Sequence, residues 1–517
     1  QDPANPWLDQ YGYSGSPTKV NQFDTTGSIP YFGRSIVQNL SFASVAFHNT
    51  TDISSETGSA TPTSMVYISM LLINSSPTHS HLQRISYTPR KASSRLKLTE
   101  FIQNNNMTQP SLNLQFAKSK SLPTNVTFTR ADATSCATVV NANGKIEVVA
   151  ANVPRFTHDS TGKCLGLLIE ASSTNLAPNS NTLSAGWGVL DTAISSIAST
   201  SDPSGNITSV TKITELSTSN QHLINKDIGT RVIGDVVTIY CIAKAAERTQ
   251  LTLTHNGEGY SVFNLDTGTI YSQGNNINYI EPLANGWYKC TATITKTNTN
   301  GTCWIGMWNG NANVYLGVVN SGILIWDMQI EIVGKFPTSY IYNPTAGSMT
   351  RAADRALING VEFKKFFNPS EGTIVTSFYT CYAVPSTSLS HFFSINDNVG
   401  SNYVTAYYTT GGWIAIKVYV GGVAAGEYSY AGTPAIQSGG VAIANKITCA
   451  YSYKNGNMVF AINGVILFNG SIVMPTIVSQ LEIGSVFADG QISKAIDYLT
   501  YYPKQLSLQE HRQLSSQ

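Results

Sequence analysis

From residue 177 onward the chain alternates apolar and polar residues in short runs broken by turn residues. That is the period of two of strands, not the 3.6 of helices. Runs at 236–242, 250–254, 260–265, 287–294, 304–307 and 323–332 predict one β-sandwich over 177–345. In the last run, Leu324, Trp326, Met328, Ile330 and Ile332 share a parity and are expected to face the core. The other parity turns polar after Ile325, through Asp327, Gln329 and Glu331. Runs at 373–379, 413–420, 447–453, 458–462, 465–468 and 495–502 predict a second sandwich over 366–517, with Asn463-Gly464 as a hairpin turn.

The earlier chain is less regular. Residues 1–34, rich in Pro, Gly, Asn and Tyr, read as an extended arm or a disordered terminus. Residues 35–129 read as a separate module. Its runs at 41–48 and 65–73 are expected to be buried strands, and 93–103 a short helix. The second run is too short to cross a bilayer. Residues 130–176 read as a compact connector, with Asn143-Gly144 as a turn and 165–170 as a buried strand. Residues 346–365 read as a linker carrying Arg351, Asp354, Arg355, Glu362, Lys364 and Lys365. The expected fold class is all-β: an N-terminal module followed by two antiparallel β-sandwiches. The absence of a short-period repeat argues against a solenoid or propeller.

Composition sharpens this picture. Charged residues are 12 % of the 517, about half the usual share, and the net charge is +1. Ser, Thr and Asn fill the polar positions, and Tyr is the commonest aromatic at 26. Such uncharged, aromatic-bearing surface suits strand-rich proteins, particle components and sugar-binding faces. No nucleic-acid partner and no membrane insertion are read from it. The seven cysteines are odd in number and form no CxxC pair, so neither a disulfide framework nor a zinc site is expected. Buried thiols fit assembly in a reducing cytoplasm. The first residues lack the basic start and apolar run of a signal peptide, and Gln1 leaves open where the natural chain starts.

Several segments carry a resemblance. Phe128-Thr129-Arg130-Ala131, Ala137-Thr138-Val139-Val140, Asn143-Gly144, Pro154-Arg155-Phe156, Gly166-Leu167-Leu168-Ile169-Glu170 and Thr174-Asn175-Leu176 resemble a segment that recurs in bacteriophage head-fibre, head-spike and tail proteins. The following sandwich resembles a carbohydrate-binding jelly roll in 285–290 and 326–331. Its exit is similar to that of such modules in phage proteins, through 336–341 and Thr350-Arg351-Ala352-Ala353-Asp354, with extra residues between Ile341 and Pro344-Thr345. The last part resembles a laminin-G or concanavalin-like domain in 371–374, 462–464, 481–484 and the tail 493–508. The resemblance implies a virion structural protein, a tail or head fibre or capsid decoration. Its N-terminal part, roughly 1–130, would attach to capsid or tail proteins, and its sandwiches would meet host-surface glycan or reinforce the particle. It also implies a homo-oligomer, trimeric in many such appendages. A glycan depolymerase and a non-virion prophage sugar-binding protein are the alternatives.

A sugar site needs an aromatic face for ring CH groups and nearby amides for hydroxyls. Trp304 and Trp308, four apart, fall on one side of a strand, and Asn309, Asn311 and Asn313 follow in a loop-like stretch. Trp413, after Gly411-Gly412, is a further candidate. The alternative for each tryptophan is a place in the core. For catalysis, His158-Asp159 reads as a surface loop, and His79 and His81 lack a third metal ligand. Asp397 and Asp489 are weak calcium candidates without a dense acidic loop. The reading is therefore a non-enzyme with no metal and no cofactor.

Overall fold

A computed structural model describes residues 43–49, 66–72, 83–87, 108–203, 205–332, 338–380, 390–409, 414–430, 445–487 and 494–516. It forms two units, 1–107 and 108–517. In the first, Ala43–Asn49, Val66–Leu72 and Gln83–Tyr87 make a three-stranded antiparallel sheet in that order. The helix expected at 93–103 lies outside the described residues. The second unit is almost wholly β: two antiparallel sandwiches and a few short helices.

The first sandwich packs two six-stranded sheets. Its front sheet runs Gly188–Leu190, Leu223–Asp227, Thr302–Met307, Gln250–His255, Ser261–Asn264, Thr269–Ser272. Its back sheet runs Thr192–Ser201, Ile207–Glu215, Gly322–Ile332, Val236–Ala245, Tyr288–Thr295, Ile277–Pro282. Ile224, Leu251, Leu253, Cys303, Ile305 and Met307 from the front meet Val237, Ile239, Cys241, Cys290 and Ile294 from the back in one core.

The parity expected for 323–332 changes partway along the strand. Ile323 and Ile325 face the sandwich core before Trp326, and Met328 and Ile330 face it afterwards. The cause is a β-bulge. Ile242 pairs with Asp327 and Ala243 with Ile325, so Trp326 is the extra residue and the faces swap across it. Leu324 and Trp326 instead join Tyr240, Ile242, Trp287 and Tyr340 in a second small core on the sheet's outer side. Ile332 is 38 % exposed at the strand end.

The hydrogen-bonded ladders cross the boundaries read from the sequence. The C-terminal sandwich has a seven-stranded and an eight-stranded sheet with one shared core. Lys494–Tyr502 pairs on one side with Glu371–Thr380, and on the other with both Cys164–Ile169 and Leu112–Gln115. In the seven-stranded sheet, Arg355–Asn359 lies between Gln480–Ile483 and Thr127–Thr129. Residues 108–129 and much of the connector thus complete the sandwich of 366–517, and the "linker" supplies one of its strands. The jelly roll is inserted within this sandwich. Its incoming strand Ser173–Asn175 pairs with its outgoing strand Met349–Arg351 to form a neck.

The sequence of the neck explains its closeness. Gly166 has φ +124, and a Cβ there would stand 2.0 Å from the Ile496 carbonyl oxygen, so only glycine lets Cys164–Ile169 lie against Lys494–Tyr502. The hairpin Ala137–Val140/Ile146–Val149 carries Ile146 into the small core on the back sheet. The outer side of the back sheet is therefore covered next to the neck. The Asn463-Gly464 turn has φ +45 and +82, the geometry of a tight hairpin turn. The terminal helix Leu508–Ser515 starts at a capping box formed by Ser507 and Glu510.

Candidate functional site

Thr302–Met307 lies inside the front sheet, between Leu223–Asp227 and Gln250–His255. Cys303, Ile305 and Met307 point into the core, so the alternate positions 304 and 306, and 308 just past the strand end, point outward. Trp304 and Trp308 are each half-buried, outside the core. Gly306 lies between them. Gly306 itself carries no side chain, and a Cβ there would fall 2.7 Å from the His222 carbonyl oxygen and 2.8 Å from Cβ of Leu223, the buried residue directly opposite.

Trp304 stands directly opposite Asn225 on the neighbouring strand. Neither the Trp304 indole N–H nor the Asn225 amide has a hydrogen-bond partner among the described residues, and neither is a buried unsatisfied group. Both therefore face solvent with free bonding capacity. Gly188, across from Asn225 on the edge strand, leaves that amide its space: a Cβ would come within 2.6 Å of it.

Trp308 is held more firmly. Its ring packs at 5.4 Å against Tyr260, whose hydroxyl accepts from Gln221 Nε2 at 3.1 Å. Its Nε1 donates to the Gly310 carbonyl at 3.0 Å, and Gly310 N donates to Gln250 Oε1 at 2.9 Å. Asn309 and Ala312 exchange backbone bonds across a tight turn. Asn311 accepts from the Tyr271 hydroxyl. Asn309 and Asn311 are exposed and Asn313 is half-buried. Further along the same loop, Glu215 accepts from the Tyr315 hydroxyl, Val318 N and Arg248, which binds it at both oxygens. Burial works to raise the Glu215 carboxyl, but these bonds outweigh it and hold it below its ordinary value.

The structure thus gathers Trp304, Trp308, Asn309 and Asn311 on one face and adds Asn225, Gln221, Gln250, Tyr260 and Tyr271. The added residues come from other strands. The one signal for them in the sequence is strand parity, which names a face only once the neighbours are known. Trp413 and Asp489 lie outside the described residues, as do His79 and His81.

The remaining candidates are engaged within the fold: His158 bonds a neighbouring hairpin, and Asp159 and Asp397 bond their own loops. His158 Nδ1 contacts the Val140 carbonyl at 3.1 Å, and Asp159 Oδ1 accepts from Thr161 and Lys163. Asp397 accepts from Val399 and Gly400 at one oxygen and twice from Asn402 at the other. Burial raises its carboxyl, and these bonds more than reverse the effect. No group of three or more His, Cys, Asp or Glu able to hold a metal occurs among the described residues. Six described cysteines are free and buried, and burial pushes their thiols up. No described helix is long and apolar enough to cross a membrane.

No family model and no curated protein matches the chain. Several solved structures are similar in part. The NanB sialidase of Streptococcus pneumoniae in complex with 2-[(3-chlorobenzyl)ammonio]ethanesulfonate aligns at 17 % identity and TM-score 0.26, over 30 % of this chain and 26 % of that one. The Ruminococcus gnavus IT-sialidase CBM40 bound to alpha2,3 sialyllactose aligns at 15 % and 0.22, over 28 % and 83 %. The leech intramolecular trans-sialidase aligns at 19 % and 0.25, over 30 % and 25 %. The chain thus spans about a quarter of the length of the NanB sialidase, and each likeness covers less than a third of this chain.

Within the segments that carry the phage resemblance, Arg130, Arg155, Glu170, Asn175, Arg351 and Asp354 are buried together at the neck. Arg130, Arg155 and Arg351 form ion pairs with Asp132, Glu170 and Asp354, every side chain fully buried. Burial works to raise the Glu170 carboxyl, but the Arg351 and Arg155 guanidiniums outweigh it and hold it well below the carboxylate range. Asn175 uses both ends of its amide, donating to Met328 and Ile341 carbonyls and accepting from Ala177 and Ile330 N–H.

Proposed function

We propose that this chain is a glycan-adhesive structural component of a bacteriophage particle, a fibre or decoration protein. Residues 1–107 attach it to capsid or tail proteins, and the front sheet of the inserted jelly roll meets host-surface glycan. The observation that carries the adhesive reading is Trp304, outside the core, with a free indole N–H facing the free amide of Asn225. An indole accepts the CH face of a sugar ring and an amide serves its hydroxyls, so the pair offers both halves of sugar recognition.

The phage reading rests on the resemblance of the neck residues. Binding proceeds by buried surface and hydrogen bonds, without bond cleavage, and the chain acts as a homo-oligomer. These roles have direct tests. Purified chain is expected to retain host-surface polysaccharide on an affinity column and to release no new reducing ends from it. Antibody against the chain is expected to decorate intact particles under immunogold labelling. Unlabelled particles would remove the virion role, and new reducing ends would replace adhesion with cleavage.

A further inference from the structure

The charge pattern of the front sheet says which glycans it suits. The outward positions of its strands are uncharged with one exception; Leu223, Gln250, Thr252, Thr254 and Val262 among them are buried, and Asn225, Trp304, Thr302 and Asn264 reach solvent. The charged exception is Asp227, at the end of the strand that carries Asn225. The cation of that strand, Lys226, sits opposite Cys303 on the parity that faces the core. On the loop beyond, Arg231 Nε donates to the Gly229 carbonyl of its own turn. The face thus offers uncharged donors and acceptors and one negative charge.

A sialate or uronate laid here would bring a carboxylate out of water with no guanidinium or ammonium among these outward positions. Desolvating a charge without a partner is strongly unfavourable, and Asp227 adds repulsion of like sign. A neutral sugar meets no such obstacle. Its CH face packs on the indole, and its hydroxyls both donate to and accept from Asn225 and Asn311.

The spacing adds a second constraint. Four residues of strand separate Trp304 from Trp308, about 13 Å along the sheet. That is longer than one hexose ring. We infer that the front sheet binds an uncharged oligosaccharide stretch lying along Thr302–Met307, and discriminates against acidic glycans. This inference rests on the glycan-binding reading above.

The test uses the full chain against two sets of immobilised probes. The neutral set is a glucan, a galactan, a mannan and a chito-oligosaccharide; the acidic set is polysialic acid, polygalacturonate and hyaluronate. Retention on at least one neutral probe is expected, nearly unchanged between about 50 and about 500 mM salt, because no ion pair is screened. Trp304→Ala and Asn225→Ala are each expected to weaken that retention about tenfold or more, while Trp304→Phe keeps part of it. Retention confined to acidic probes, or weakening steeply with salt, overturns the neutral-ligand inference and leaves glycan binding standing. Neutral binding that survives both alanine variants overturns the assignment to this face. Failure to retain any probe of either set removes the glycan reading itself, and this inference with it.

Discussion

Arg155 and Asp354, 199 residues apart in the chain, meet at 2.5 Å between Nη2 and Oδ2, with both side chains closed to solvent. Asp354 also receives Arg130 at 3.4 Å and the backbone N–H of Glu170 at 3.0 Å, so one carboxylate ties together three separate segments. Arg351, at the end of the outgoing neck strand, closes the set through Glu170 at 2.5 Å. Three positive and three negative side chains balance in the interior. Such a set tolerates the loss of one member poorly, because the partner is left charged and desolvated.

Removal of one arginine should therefore be costly. Arg155→Ala is expected to lower unfolding free energy by about 3–5 kcal/mol, read as a shift of the denaturant midpoint at constant slope. Lys365→Ala, which breaks an exposed pair with Glu362, is expected to stay within about 0.5 kcal/mol. Equal effects from the two variants would contradict the role given to the neck.

The strand order predicts how the chain can be cut. A fragment starting at 366 lacks Leu112–Gln115, Cys164–Ile169 and Arg355–Asn359, and bares the edge of Lys494–Tyr502. It is expected to aggregate or to lack dispersed amide resonances. A chain starting at 108 keeps every one of those strands and is expected to unfold cooperatively. A well-folded 366–517 fragment would sink this topology.

Acid should destabilise the protein in two stages. His255 is fully buried and accepts from Lys296. Burial and that ammonium push its pKa down to about 4, against the smaller opposing effect of Glu258. Burial, then Lys494 and Lys417, push His391 to about 3. Unfolded histidine titrates near 6.5, so as pH falls below about 6.5 the unfolded state takes up protons that the native state refuses. Each histidine then lowers stability by about 1.4 kcal/mol per pH unit until its folded value is reached.

Glu170 adds the second stage. Its folded carboxyl is depressed, so its contribution is complete above the unfolded value of about 4.3 and is lost as pH falls through the folded one. Melting temperatures measured from pH 8 to pH 3 should be level at the top, decline below about 6.5 and fall faster below about 4.3. A flat profile to pH 4 would count against both buried histidines.

Two tryptophans should behave oppositely. Trp287 is fully buried and donates to the Ser201 carbonyl at 2.8 Å, so Trp287→Ala is expected to cost about 3–5 kcal/mol. Trp304→Ala is expected to change stability by about 1 kcal/mol or less while reducing glycan retention. Calorimetry of both variants beside the retention assay separates packing from recognition.

What the sequence by itself determined was local. The period of two marked about half of the strands of the two sandwiches within a few residues, because alternation is set by the pleat and needs no partner. The same periodicity placed Trp304 and Trp308 on one side. It failed at Trp326, where an extra residue in one strand reverses the faces; the turn from apolar to polar after Ile325 is the trace the bulge leaves in the sequence.

The tertiary structure decided everything that depends on which strand lies beside which. Ordering the strands brought Asn225 across from Trp304 with both reaching solvent on the front sheet, and covered the back sheet near the neck. It also made strands far apart in the chain, at 112–115, 164–169 and 494–502, neighbours in one sheet. Pairing over such separations is chosen by the total surface buried and by charges such as Arg155 and Asp354 finding each other, and neither quantity is a property of any one stretch of chain.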